Sequence, residues 1–323
     1  MSEKQYTYAV ARIRAKELSL LNASALEQLM QSRSYEECLT LLTEKGWGDD
    51  GAVASSEALL ECERKKTWGL IAELADDMSA FDVFLYANDY HNLKAAIKQV
   101  CTETEHEHIF IQQSTVPPDT ILRAIESHDY TLLPEAMRAA AKEAFEALLH
   151  TRDGQLCDML LDKAALDAIY NAGKKAENPL LKLYSELTVA VADIKTAVRG
   201  QKTGKPLELL KRALAHCDTL DVNSLAHAAT ESFDAICEYL EGTAYAEAIV
   251  ELRTSPSAFE RWCDNLMMRK IHPQQFNPFT IGPLAAYILA RENEIKSVRI
   301  ILSGKLNNLP EESIRERVRE MYV

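Results

Sequence analysis

Three short stretches that share one pattern constrain this chain more than anything else in it. "NLKAAIK" begins at Asn92, "DIKTAVR" at Asp193 and "EIKSVRI" at Glu294, so Lys94, Lys195 and Lys296 succeed one another at intervals of 101 residues. A segment with helical spacing precedes each lysine: "VFLYANDYH", "YSELTVAVA" and "AAYILAREN". Equal spacing twice over points to three homologous units. A unit of about 100 residues is the size of a small domain and too large for a solenoid repeat of about 20–50 residues. The division expected is 1–115, 116–215 and 216–323 of the 323-residue chain.

The repeated helix reads as structural. In the middle copy Leu187, Ala190, Val191, Ile194, Ala197 and Val198 make one apolar stripe, and the first copy holds it as Tyr86, Asp89, Tyr90, Leu93, Ala96 and Ile97. The third copy keeps Ile288, Ile295 and Val298 but places Arg291, Glu292 and Arg299 at the other positions. Buried charge must be paired. Arg291 and Glu292 are therefore expected to pair with each other, with a neighbouring repeat or with another subunit.

Local signals agree on an all-α chain. Ser24-x-x-Glu27 and Ser34-x-x-Glu37 read as capping boxes, each ahead of apolar residues at helical spacing. "WGDDGAVASS" (47–56) reads as a loop, and "PPDTILRAI" opens a helix with proline in its first turn. "PEESIRERVREMY" reads as a closing helix with a Glu311–Arg315 pair and a stripe of Ile314, Val318 and Met321. Only 11 Gly and 10 Pro occur, and no alternating strand pattern of useful length is present.

Charge narrows the partners. A net charge of −13 argues against a sequence-independent grip on nucleic acid. Residues 49–109 hold thirteen acids against five bases, whereas the forty from Leu284 on hold six acids and seven bases. The first repeat is thus expected to present an acidic face that steers a basic partner, the alternative being acidity that serves solubility alone. The seven cysteines, Cys38, Cys62, Cys101, Cys157, Cys217, Cys237 and Cys263, form no C-x-x-C pair and read as small core hydrophobes in a reducing cytoplasm. "MSEKQYTYAV" lacks the features of a signal peptide. The longest uncharged run, 271–290 with His272 neutral, is broken by Pro273, Pro278 and Pro283, which predicts that it does not span a bilayer.

Catalytic motifs fail on spacing. "GQKTGKP" (200–206) has three residues between its glycines and a proline after Lys205, where a phosphate loop needs four residues and Ser or Thr. "SGKLNN" has Leu306 after its lysine. Both read as helix-terminating loops. His106 and His108 in "ETEHEH" would point about 200° apart on a helix and read as a solvated acidic loop. His128 and Asp129, with His91, His150 and Asp153, are the elements of an all-α metal phosphohydrolase, but nothing in their spacing brings them together. No catalytic, cofactor or metal residues are assigned, and no partner-interface residue either.

The carboxy-terminal stretch from "NLMMRKIHPQQFNPF" through "YILARENEIKSVRIILSGKLNNLP" to "IRERVREMYV" resembles the end of the C subunit of V-type and archaeal-type rotary ATPases, which is the d subunit of the eukaryotic vacuolar enzyme. "YAVARIRAKELSLL" and "YEECLTLL" fit the opening of that family. The resemblance implies three similar helical domains about a pseudo-threefold axis, forming a funnel-shaped socket. It implies a non-catalytic rotor adapter that sits peripherally on the cytoplasmic face of the membrane, on the proteolipid ring, and receives the central-shaft subunits D and F. It implies no cofactor. "HPQQFNPFTIGP" would be a rigid connector between helices or a face toward the ring. A free-standing helical scaffold is the alternative, and the phosphohydrolase a more distant one.

Overall fold

A computed structural model of the chain describes residues 5–49, 55–104 and 109–323. In chain order the helices are α1 (Gln5–Glu17), α2 (Ala23–Gln31), α3 (Tyr35–Glu44), α4 (Ser56–Leu74), α5 (Tyr86–Thr102), α6 (Pro118–Glu126), α7 (Glu135–Thr151) and α8 (Gly154–Lys175). They continue as α9 (Pro179–Lys202), α10 (Leu207–Ala213), α11 (Val222–Glu231), α12 (Phe233–Glu241), α13 (Ala248–Thr254), α14 (Pro256–Ile271), α15 (Gly282–Leu306) and α16 (Glu311–Arg315). The described residues contain no strand. The expected all-α class is what the chain adopts.

Helix starts follow local chemistry. Ser34 caps α3 as expected: its Oγ accepts the Glu37 N–H at 3.2 Å, and the Glu37 carboxylate reaches back to the Arg33 N–H at 2.5 Å. Ser24 does not cap α2. Asn22, two residues earlier, takes that place and accepts the Ala25 N–H at 2.9 Å. Asn is as good a cap as Ser, and the buried Leu20–Leu21 step fixes the chain's entry ahead of it. Pro118 occupies the first turn of α6.

The closing helix is shorter than its sequence suggests. It ends at Arg315, after forming the Glu311–Arg315 pair at 2.6 Å. Beyond it tertiary bonds outweigh helix propensity. Arg319 Nε donates to Asp264 at 2.8 Å, the Glu320 N–H donates to Asn265 at 2.9 Å, and the Tyr322 carbonyl accepts from Gln275 at 2.8 Å.

The chain divides into two compact units. One comprises the described residues through Met78, residues 178–180 and Glu247–Val323. Its axis is α15, which α1, α2, α3, α4, α14 and α16 all touch. Leu26, Leu29, Leu42, Leu59 and Leu60 pack there against Ile295, Val298, Ile301 and Leu302. α15 is buried on nearly every side, with Arg291, Asn293 and Glu294 among its buried residues. The other unit comprises 79–177 and 181–246. In it α5 packs on α6, α7 and α8, with Tyr90, Leu93 and Ile97 against Ile121, Ile125, Met137 and Leu161. α8 and α9 approach so closely that a Cβ on Gly173 would lie 2.3 Å from that of Ser185.

The spaced lysines fall within α5, α9 and α15. Two of them make the same kind of bond to a neighbouring helix: Lys94 to Asp162 of α8 at 2.6 Å, and Lys296 to Asp264 of α14 at 2.5 Å. Among the cysteines, Cys38, Cys157, Cys217 and Cys237 are buried and the other three half-buried. Burial pushes the Cys157 thiol up to about 11, where it is a packing group and not a nucleophile.

Candidate functional site

The charges of α15 gather into one buried cluster. The Arg291 guanidinium lies between Glu294, one turn on, and Glu63 of α4, donating to both carboxylates. Its Nε reaches Thr67 Oγ1 at 3.3 Å and its plane covers Trp47, 5.2 Å from the ring centre. Glu63 also accepts from Lys66 Nζ at 2.8 Å and from the Gly48 N–H at 2.9 Å. Glu294 Oε1 accepts the Leu21 N–H at 2.5 Å. Arg291 is 6% exposed, Glu63 4% and Glu294 0%. Burial pushes the Glu294 carboxyl up to about 7, against the pull of Arg291 and of the Leu21 N–H. Burial also works against the charge on Arg291, but Glu294, Tyr287 and Glu63 outweigh it and the guanidinium holds its proton more tightly than usual.

Arg291 and Glu292 thus pair with neighbours and not with each other. Glu292 meets Arg64 of α4 at 3.4 Å, and Arg299 meets Glu57 at 2.9 Å. Ion pairs between α4 and α15 form one ladder, and through Glu57 and Glu63 part of the acidity of 49–109 is answered inside this unit. A guanidinium locked between two carboxylates has no proton to transfer near neutral pH. What the cluster does is tie α4, α15 and the α1–α2 junction together. At the far end of α15, Lys305 Nζ donates to the Met30 and Ser32 carbonyls at 2.5 and 2.7 Å, anchoring the C-terminus of α2.

The other nominated residues stay apart. Asp129 folds onto Thr131, Asp153 caps α8, His91 Nε2 lies 3.0 Å from the Ile109 carbonyl, and the His128 ring sits edge-on to Phe145. His150 is exposed in the last turn of α7. His106 and His108 lie outside the described residues. Among the described residues no three His, Cys, Asp or Glu side chains come together as a metal site. Gly200 lies within α9, and Gly204 (φ 62°) ends it, with Lys205 bonded to Gln155 at 3.2 Å. Gly304 lies inside α15, whose helix runs past it to Leu306.

Surface features are the remaining candidates. "HPQQFNPFTIGP" connects α14 to α15 through a 3-10 turn at His272–Phe276. Arg14 of α1 donates to the Gln274 carbonyl and, at 3.3 Å, to that of Asn277. Asn277 Nδ2 donates to Thr280 at 2.7 Å, and Gln274 Oε1 fills the space a Cβ on Gly282 would need, 2.1 Å away. The connector is therefore held in place, yet Phe276 is 86% and Phe279 50% exposed. Two phenylalanines fixed on an uncharged loop are the kind of apolar edge that marks a contact site. Prolines breaking the periodicity around them were the available sequence signal. A groove of 460 Å³ lies nearby in sequence, lined by Arg261, Trp262, Arg269, Arg319 and Glu320. Its cations are already engaged: Arg269 meets Glu320 at 3.3 Å and Arg261 donates to the Glu316 carbonyl at 2.7 Å. Among the described residues no helix is long and apolar enough to cross a membrane.

Comparison with known proteins bears on the whole chain. The model of a family described as ATP synthase (C/AC39) subunit matches residues 9–317. The C subunit of the V-type sodium ATPase of Enterococcus hirae is 23% identical over 96% of this chain and 97% of its own length. The C subunit of the A-type ATP synthase of Methanocaldococcus jannaschii is 25% identical over 96% of this chain and 85% of its own. For the C subunit of the V-type ATP synthase of Thermus thermophilus the figures are 23%, 97% and 98%.

Proposed function

The chain belongs to the ATP synthase (C/AC39) subunit family, and from that premise we propose that it is the rotor adapter that couples the central shaft of a V/A-type ATPase to its membrane proteolipid ring. The observation that carries this reading is the match of the family along residues 9–317, with relatives aligned over nearly their whole length. The task on this reading is mechanical: it receives shaft subunits D and F, rests on the ring at the cytoplasmic face, and turns with both without handling nucleotide.

The physical properties of the first unit suit torque transfer. Close-packed helices transmit strain, and the α4–α15 ladder with the Arg291 brace ties helices that are more than 200 residues apart in the chain. Three homologous domains, 1–115, 116–215 and 216–323, arranged as a funnel, belong to this proposal. The equal spacing of Lys94, Lys195 and Lys296, each within a long helix, supports them.

The Phe276–Phe279 connector is the surface we assign to the ring. Replacing both residues by serine is expected to leave folding within about 0.5 kcal/mol, as for exposed sites generally, and to weaken capture of the purified chain by detergent-solubilised ring at least tenfold, about 1.4 kcal/mol. Sedimentation with the ring measures this. Unchanged capture would remove the connector from the interface. ATP hydrolysis by a holoenzyme lacking the chain should run without ion transport, and retained coupling there would overturn the adapter reading itself.

A further inference from the structure

The repeat sets a polar side chain two residues before each spaced lysine: Asn92, Asp193 and Glu294. All three are fully buried. Each does the same thing with one side-chain oxygen, accepting a backbone N–H from a distant segment. Asn92 takes that of Ile111 at 2.8 Å, Asp193 that of Ala215 at 3.0 Å and Glu294 that of Leu21 at 2.5 Å.

They differ in how charge is handled. Asn92 has none, and its amide returns a hydrogen bond to the Ile111 carbonyl at 2.9 Å. Glu294 is met by Arg291. Asp193 has neither solution: Oδ1 holds the Ala215 N–H, and Oδ2 is buried with no hydrogen-bond partner among the described residues. Of the charged groups around it only Lys163 favours the ionised form, and Asp167 beside it works the other way. Lys163 and Asp167 of α8 pair with each other at 2.6 Å. Glu186 of α9 is negative and occupied with the Asp218 and Thr219 N–H groups at 3.1 and 2.8 Å. Cys217, on the segment that Asp193 holds, is a thiol that burial pushes up to about 12. An ionised carboxylate with one donor and one bare oxygen is costly in such a place. A carboxylic acid there is close in shape and charge to the amide of Asn92.

We propose that Asp193 is a proton-binding site built into the second unit: the unit closes around the acid form of this side chain, and loss of the proton loosens the Ala215 segment that leads from α10 into α11. Burial pushes this carboxyl up to about 7, from an ordinary value of about 3.9. The folded unit therefore binds the proton more tightly than the unfolded chain does. Stability from the bound proton is full below the ordinary carboxyl range and is lost as pH rises through about 7.

Hydrogen exchange of the full-length chain, read at single amides from about pH 4 to about pH 8, tests this. The protection factor at Ala215, corrected for intrinsic exchange, is expected to fall about tenfold for each pH unit between about 4 and about 7 and to level off above that. At Ile111, held by a neutral amide, it should stay flat. Asp193→Asn should make Ala215 as flat as Ile111. A flat wild-type profile at Ala215, or an unchanged slope in the variant, would overturn the proposal. Should the variant not fold, the wild-type contrast between Ala215 and Ile111 decides alone.

Discussion

Arg291→Met weakens the first unit by about 3–5 kcal/mol at neutral pH, the usual cost of removing one partner from a buried ion pair. The substitution keeps the unbranched stem of the side chain but leaves Glu63 and Glu294, 4% and 0% exposed, without the cation that joins them. Lys66 still reaches Glu63; Glu294 is left with the Leu21 N–H. Its carboxyl, already pushed up to about 7 by burial, then takes a proton more readily. A raised folded-state pKa means stability that is present at low pH and lost as pH rises. The deficit of the variant should therefore shrink near pH 5 and grow toward pH 8. Urea unfolding followed by tryptophan fluorescence at the two pH values measures both, Trp47 lying directly under the guanidinium. Adding Glu63→Gln and Glu294→Gln should restore part of the loss. Arg291→Lys, which keeps a charge but not the fork or the stacking, should fall between. A deficit under about 1 kcal/mol would mean the cluster is not a brace.

Ending the chain at Glu316 should cost the same unit about 5–7 kcal/mol. The removed residues include Tyr322, 2% exposed, whose burial alone is worth about 1.5–3 kcal/mol. They also include Arg319 on Asp264, the Glu320 N–H donated to Asn265, and the Glu320 and Tyr322 carbonyls that accept from Asn293 and Gln275, at about 1 kcal/mol each. Because Gln275 sits in the connector, its loss should expose the Phe276–Phe279 loop to faster proteolysis. A truncated chain with wild-type unfolding and cleavage would show that the closing segment merely lies on the surface.

The helical class was legible because helix signals are local. Ser34 with Glu37, Pro118 in a first turn and Glu311 with Arg315 each act within four residues, and each appears as read. Apart from Ser24, displaced as a cap by Asn22 two residues away, the misreadings share one cause, competition from distant parts of the chain. Residues 316–322 have helical spacing, but Asp264, Asn265 and Gln275 claim their polar groups. The charges of α15 could be recognised as needing partners, whereas their identity depended on α4 packing on α15. The same holds for Asn92, Asp193 and Glu294. Their recurrence is visible once the three lysines are aligned, yet the bond from Glu294 to Leu21 spans 273 residues and no local pattern announces it. The phenylalanines of the connector were visible as residues, but their exposure depends on the loop conformation that Arg14 of α1 fixes through the Gln274 and Asn277 carbonyls.

Mixing the purified chain with shaft subunits D and F of its own ATPase, and measuring mass by size exclusion with light scattering, tests the adapter role most directly. A stable complex with one copy of each is the expected result. No complex even at low salt, where attraction between charges is least screened, would contradict it and leave a helical body of this family without the shaft it is proposed to carry.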